Sequence, residues 1–481
     1  MNVDNVDAPA GRVVVVGGGI AGLAAAHRVL RAGRGVTLLE AGDRLGGKLH
    51  SGEIAGARVD LGAESMLARR PEALDLASAV GLGEHLQPPA TASAAVWTRG
   101  ALRPLPKGHF MGVPGDAGGL GDLLSDEGLR AVHRDRELPP DTPGEDVAIG
   151  AYVARRMGRE IVDRLVEPLL GGVYAGDAYR ISMKAAAPKL LDAVRAHGTL
   201  TDAVRSLVPA PRGAGAVPPP PAFAGLRGGV GRLPLAVADA VRDLGGEIRT
   251  GTPVRGLTRR ADGWEVTTGT GVLHADAVIL ATPAPSASAL LAAESPTASA
   301  ELAAIEYASM SLVTLAFRRS DVAGQVPAGS GFLVPPVDAR TIKASTFASH
   351  KWQWIADGAP DLFVLRTSLG RYGDEEHLDR EDAELVAASL RDLGEAVGLA
   401  ARPVATTVTR WIDGLPQYPV GHHARVGRIR DAVAKLPGLR VCGAAYDGVG
   451  IPAVVADAWR AADEVDAALA ASPHAHPGAE H

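Results

Sequence analysis

Four β-branched residues, Val13 to Val16, run directly into Gly17, Gly18 and Gly19, then into Ile20, Ala21, Gly22 and an alanine-rich stretch. An unbroken apolar run of this length reads as a parallel strand buried on both faces. The glycines read as a tight turn, and the alanine-rich stretch as a helix. The spacing Gly17-x-Gly19-x-x-Gly22 is that of a dinucleotide-binding turn. Gly17 permits the sharp turn, Gly19 lets a pyrophosphate approach the backbone, and Gly22 lets the helix lie close on the sheet. The helix N-terminus then points free N–H groups and its positive dipole end at phosphate charge. A second apolar run, Val36 to Leu39, ends at Glu40. A carboxylate about twenty residues past the glycines can hydrogen-bond a ribose hydroxyl.

The next segment favours FAD over NAD. Glu40 and Ala41 lead to Arg44, Leu45, Gly46, Gly47 and Lys48, where a crossover helix would be usual in an NAD domain. Here the chain enters a glycine-rich loop and a short hairpin, Leu49 to Asp60, followed by Gly62, Ala63, Glu64 and Ser65. That order resembles the amine-oxidase-like FAD enzymes. The resemblance implies a loop that closes over the flavin diphosphate and a Gly-Ala-Glu-Ser turn beside the ring.

Length and charge bound the rest. The 481 residues suffice for two or three domains. A formal net charge of −6, from 49 basic and 55 acidic residues, argues against a general nucleic-acid binder. Aromatics at 4% leave little for base stacking. The lone Cys442 excludes an intrachain disulfide and a cysteine metal cluster, and reads as a small buried strand residue in a cytosolic setting. Met1 to Ala10 lacks the apolar core of a signal peptide. No apolar run approaches the roughly 18 residues of a spanning helix, which leaves at most a peripheral membrane contact.

Further along, Pro71 to Leu86 is expected to be helical, and Ala95 to Leu102 a hairpin around Arg99 and Gly100. Residues 115–207 read as mostly helical. Within them Pro168, Gly171 and Gly172 are expected to stop a helix and leave bare backbone. That corner is either a plain helix-to-helix turn or a ligand contact. Pro209 to Pro221 reads as a mobile extended loop. Strands around Val254, Trp264 and Ala277 to Leu280 complete the second half of a two-dinucleotide-type FAD unit, with Val254 on the adenine side. Near the C-terminus a strand ends at Gly443, a turn follows, and a helix runs to about Leu469. Its positive end should face the flavin N1–C2 carbonyl edge and stabilise the reduced ring. His474, His476 and His481 read as part of a disordered tail, and no metal site is expected.

The fold class expected is α/β with an α+β substrate domain. A discontinuous Rossmann-like FAD-binding domain takes 11–90, 225–297 and 406–470. A mainly helical insertion, 91–224, faces a substrate channel or a membrane. A mixed-sheet substrate-binding domain takes 298–405, and 1–10 and 471–481 are disordered tails.

Three segments are more specific. Gly171 to Asp177 (GGVYAGD), Leu415 to His422 (LPQYPVGH) and Ala445 to Pro452 (AYDGVGIP) resemble the protoporphyrinogen oxidases. The similarity is to the soluble, Gram-positive-type branch acting on coproporphyrinogen III, and Ser349 to Trp352 and Leu365 to Asp374 agree. The resemblance implies a six-electron oxidation of a porphyrinogen in haem biosynthesis, two electrons at a time through non-covalent FAD. Molecular oxygen accepts the electrons and hydrogen peroxide leaves. It implies FAD contacts at Gly17, Gly18, Gly19, Ile20, Ala21, Gly22, Glu40, Ala41, Arg44, Gly47, Lys48, Gly62, Ala63, Glu64, Ser65, Val254, Trp411, Gly443, Ala444, Val449, Gly450 and Ile451. Substrate contacts fall at Gly172, Tyr174 and Ala175. Four propionates call for cationic clamps, for which Arg69, Arg70, Lys107, His350, Lys351, Arg366 and Arg371 are the candidates. No acid–base side chain is required, because the flavin N5 takes the hydride. The resemblance further implies a cytoplasmic monomer or homodimer, peripheral at most to the inner membrane face, that hands its product to a ferrochelatase. A flavin amine oxidase or carotene desaturase on the same fold is the alternative, and a colourless escort-type protein a more distant one.

Overall fold

The computed structural model describes residues 11–208 and 221–471. The expectations for 1–10, for nearly all of the proline-rich loop and for the histidine-bearing tail fall outside these residues.

Val13 to Val16 lie in the strand Arg12–Val16, at the centre of a five-stranded parallel sheet. The strand order is Glu247–Arg249, Gly35–Leu39, Arg12–Val16, Ala277–Leu280, Leu439–Val441. Side-chain alternation explains the unbroken apolar run. Val13 and Val15 enter one core with Leu23, Val237 and Val455, from the helices Ile20–Arg31, Arg232–Asp243 and Ile451–Ala470. Val14 and Val16 enter a second core with Trp264, Leu280 and Ile429. Both faces are covered, so neither tolerates a polar residue.

A seven-stranded mixed sheet forms the opposite body, in the order Ala405–Pro416, Tyr307–Arg318, Leu362–Leu369, Ile342–Thr346, Gly331–Leu333, Ala94–Thr98, Ala101–Pro104. This body therefore extends beyond 298–405. Ala94 pairs with Gly331 in parallel, which takes the hairpin from the helical insertion. Tyr307 pairs with Pro416, which takes Ala405–Pro416 from the FAD segment. Both pairings are long-range, and no local pattern marks them. The helices Asp126–His133, Ile149–Met157, Glu167–Tyr174, Pro188–His197 and Leu200–Leu207 enclose a third core around Val153, Leu165, Leu190 and Val204.

Two helices differ from expectation. The one after Arg70 spans only Glu72–Ala79, because Gly81 adopts φ +78° and turns the chain. The corner near Pro168 does not stop a helix. Pro168 lies within a helix that runs unbroken from Arg159 to Tyr174, directly after a π-helical turn at Val162–Val166, whose wider winding accommodates a residue without an N–H. Gly171 and Gly172 lie inside that helix, which ends at Ala175 in the left-handed conformation, φ +48°.

Candidate cofactor site

The carboxyl ends of the parallel strands open on a cavity of about 580 Å³, a size suited to a cofactor. Gly17, Gly19, Ile20 and Ala21 line it, with Glu40, Ala41, Gly47, Lys48, Val254, Gly443, Ala444, Val449 and Ile451. Segments far apart in the chain thus converge on one space.

Each glycine of the first turn has its own reason. A Cβ on Gly22 would stand 1.8 Å from the Gly17 carbonyl oxygen, so only glycine lets the helix rest there. Gly17 has φ +109°, and a Cβ would meet the Ala281 oxygen at 2.6 Å. A Cβ on Gly19 would meet nothing within 4 Å. That free space, at the N-terminus of the 12-residue helix Ile20–Arg31, is a cradle for an anion. Gly18 does not line the cavity. Its N–H donates to Glu40 Oε2 at 2.6 Å, and Gly42 N–H donates to Oε1 at 2.7 Å. The Glu40 carboxylate is thereby fixed, with lone pairs left over for a further donor.

Lys48 supplies the positive charge. Its ammonium has no ion-pair or hydrogen-bond partner among the described residues, and desolvation pushes it down to about 8. An open glycine cradle, a helix N-terminus, an anchored carboxylate and a half-buried cation without a partner among the described residues fit a dinucleotide carrying a diphosphate.

Gly62 to Ser65 and Trp411 stand behind this wall rather than on it. A Cβ on Gly62 would lie 2.1 Å from the Lys48 carbonyl oxygen and 3.0 Å from the Trp411 ring. Trp411 Nε1 donates to the Leu61 carbonyl at 3.1 Å. Arg44 lies over the Trp411 ring at 5.8 Å and donates to the Gly47 carbonyl at 2.9 Å. Glu64 is buried and bound by two of the expected propionate clamps: Lys351 Nζ at 2.5 Å and Arg366 Nη2 at 3.0 Å. Arg366 Nη1 also donates to the Asp60 and Gly62 carbonyls, at 3.1 and 2.9 Å. Burial raises the Glu64 carboxyl, but Arg366 and Lys351 outweigh it and hold the group at about 2. These two cations belong to the loop, not to an open pocket.

The other candidate clamps divide. Arg70 pairs with Glu72 at 2.7 Å. His350 packs edge-on to Phe363, with ring centroids 4.9 Å apart. Arg371 donates to the Val334 carbonyl at 2.7 Å. Arg69 and Lys107 are exposed. Of the expected substrate contacts, Tyr174 and Ala175 are buried and Gly172 is exposed.

The three family-like segments meet one another. Gln417 Nε2 donates to the Tyr174 carbonyl at 2.9 Å, and Tyr372 N–H donates to the Ala175 carbonyl at 2.7 Å. The Tyr418 hydroxyl donates to the Ala444 carbonyl, and Tyr418 stacks on His422 at 4.0 Å. Burial pushes His422 down to about 4, so it is neutral, and its Nε2 bonds the Tyr446 carbonyl at 3.0 Å. Gly450 caps the 20-residue helix Ile451–Ala470, whose N-terminus opens on the cavity at Ile451.

Sequence reading missed two supports. Buried Asp457 accepts the Gly443 N–H at 2.9 Å while paired with Arg430 and Arg460, and so shapes the second turn. An aspartate inside an apolar helix stripe was the available signal. Tyr307 is the one aromatic lining the cavity among the described residues, and its hydroxyl accepts the Ala284 N–H at 2.9 Å.

Comparison with known proteins agrees with this geometry. Residues 20–466 match the family described as flavin containing amine oxidoreductase. The chain is 37% identical over 463 residues to the coproporphyrinogen III oxidase of Mycobacterium leprae, covering 95% of this chain and 98% of that one. It is 31% identical to the coproporphyrinogen III oxidase of Bacillus subtilis, over 92% and 94% of the two chains. A crystal structure from Exiguobacterium sp. 255-15, assigned as a protoporphyrinogen oxidase, superposes with TM-score 0.85 at 34% identity, covering 95% and 99%. Cyclohexylamine oxidase from Brevibacterium oxydans, at 20% identity and TM-score 0.69, shares the fold. The chain is an FAD-dependent oxidoreductase of the flavin-containing amine oxidoreductases, and within them it belongs to the coproporphyrinogen III and protoporphyrinogen oxidase family.

Proposed function

We propose that the protein oxidises coproporphyrinogen III to coproporphyrin III, with oxygen as electron acceptor and hydrogen peroxide as by-product. The carrying observation is the junction of 171–177, 415–422 and 445–452, the segments that single out this branch, against the second cofactor turn. The FAD held there would supply the two-electron acceptor for the meso carbons of the substrate.

The chain's residues bind and orient. Gly17, Gly19 and the helix Ile20–Arg31 would hold the diphosphate, Glu40 the ribose, and Val254 the adenine side of the FAD, since all line the one cavity. Lys48 would meet its anionic charge, and the N-terminus of Ile451–Ala470 would offer its positive end to the ring edge that gains charge on reduction. Attachment is non-covalent: Ala444, Ala445 and Tyr446 occupy the turn, while Cys442 is fully buried with its thiol pushed up by burial. Exposed Arg69 and Lys107 are the uncommitted cations left for propionates. Gly172 and the half-exposed Val173 present backbone and a small apolar side chain to the macrocycle. The product then passes to a metal-inserting enzyme.

Purified protein should be yellow. With coproporphyrinogen III under air it should produce porphyrin fluorescence and peroxide together. A yellow protein giving neither rejects the reading. Glu40→Ala should weaken FAD binding by about 1–3 kcal/mol, through loss of charge-assisted hydrogen bonds. A fluorescence titration of apoprotein with FAD measures it, and unchanged affinity would remove Glu40 from the ribose site.

A further inference from the structure

A second ionisable cluster is buried where the helical body meets the seven-stranded sheet. Glu167 lies on the helix Glu167–Tyr174, and its side chain is buried. Its Oε1 lies 3.7 Å from Arg371 Nε, while its Oε2 is buried with no hydrogen-bond partner among the described residues. Lys343, on the strand Ile342–Thr346, is buried too, and among the described residues its ammonium meets only Met310 Sδ, at 3.9 Å. Met310 pairs with Trp411 across the sheet, and paired residues share a face. Trp411 turns that face to the flavin loop through Leu61.

A buried carboxylate with an idle oxygen is costly unless it has a task. The neighbouring helix turn suggests one. Gly171 has no side chain, and a Cβ there would crowd Glu167 Oε1 at 3.2 Å. The next residue, Gly172, is exposed. Gly171 is thus packed beside this carboxylate, and its neighbour Gly172 reaches the surface at the corner assigned above to substrate.

We propose that Glu167 accepts the proton released in each two-electron oxidation of the macrocycle, with Lys343 and Arg371 tuning it. The role rests on the porphyrinogen reading. In each step a meso C–H bond breaks and its hydride reduces the bound flavin. A proton leaves for Glu167, from a pyrrole N–H in two of the three steps and from the fourth meso carbon in the other, and the electron pair left behind completes a new double bond in the oxidised ring.

The charged groups acting on Glu167 come from every neighbouring element. Burial pushes the carboxyl up to about 7. Arg371 and Lys343, from the sheet side, oppose that rise, and Asp177 and Asp163, from the flanking turns, add to it. Burial, reinforced by Arg371 and opposed by Glu167, pushes the Lys343 ammonium down to about 7. A proton acceptor works best with its pKa near the operating pH.

Anaerobic stopped-flow mixing of the holoenzyme with coproporphyrinogen III tests this. Wild-type flavin reduction should quicken as pH rises through about 7, since the acceptor must be ionised. Glu167→Gln should lower that rate by about 10²-fold or more and abolish the pH limb. Infrared titration should show a protonated carboxyl near neutral pH in wild type that is missing in Glu167→Gln. Should Glu167→Gln fail to fold, Lys343→Met decides. It removes a cation that lowers the Glu167 pKa, so the limb should move up by about 1 pH unit. Flavin reduction in Glu167→Gln at the wild-type rate with the limb intact, or an unmoved limb in Lys343→Met, would overturn the role. Wild-type flavin left oxidised by coproporphyrinogen III would instead overturn the parent reading, and this role with it.

Discussion

Gly22→Ala is expected to give protein without bound flavin. The new Cβ would fall 1.8 Å from the Gly17 carbonyl oxygen, and backbone there cannot step aside as a side chain can. The helix Ile20–Arg31 would have to lift from the strand Arg12–Val16, carrying the Gly19 cradle with it. Overpacking of this kind costs about 1–3 kcal/mol, and more against backbone. Gly19→Ala is the matched control. Its Cβ meets no protein atom within 4 Å, and its backbone, φ −71° and ψ 176°, suits alanine. The apoprotein should melt at the wild-type temperature, yet bind FAD at least about tenfold more weakly, because the methyl occupies the space of the diphosphate. Melting curves of apoprotein beside FAD titrations separate the two. Wild-type FAD affinity in Gly19→Ala would move the diphosphate elsewhere.

Glu64→Gln should destabilise the fold by about 3–5 kcal/mol, the cost of leaving buried charges without their counter-ion. Lys351 and Arg366, 18% and 12% exposed in their side chains, would face each other with no carboxylate between them. The turn Gly62 to Ser65 is tied to the seven-stranded sheet through this carboxylate, so flavin retention should fall with stability. The pH dependence has a definite sign. The folded carboxyl is depressed to about 2, below the value of about 4.3 in an unfolded chain. Its contribution is complete above about pH 4.3 and is lost as pH falls through about 2. Urea melts of wild type and Glu64→Gln should therefore differ by less at pH 3 than at pH 7, without converging. A variant within 1 kcal/mol of wild type at pH 7 would show that the cluster is not stabilising.

The contrast between these residues shows what a sequence displays. Gly17, Gly19, Gly22 and Glu40 act within one strand–turn–helix–strand unit, so their spacing along the chain is their spacing in the site. Lys351 and Arg366 advertised charge, but their partner Glu64 lies 287 residues from Lys351. Nothing local separates a clamp for an external carboxylate from a clamp for an internal one. Pro168 misled for another reason. A proline usually ends a helix in its interior, but a π-helical turn directly before Pro168 lets the helix run through it. Ala94–Thr98 was legible as one arm of a hairpin, but its pairing with Gly331–Leu333 was not, nor was the edge strand Ala405–Pro416 with its partner Tyr307–Arg318. Burial of Glu167 and Lys343 depends on helix and sheet packing together, which no single segment encodes.

The central claim is that this cavity holds an FAD that a porphyrinogen reduces. Anaerobic mixing of the yellow holoenzyme with coproporphyrinogen III or with a primary amine tests it most directly. The account predicts rapid bleaching of the flavin by coproporphyrinogen III, with porphyrin fluorescence growing in step, and no bleaching by the amine. Flavin bleached by the amine and untouched by coproporphyrinogen III would contradict it.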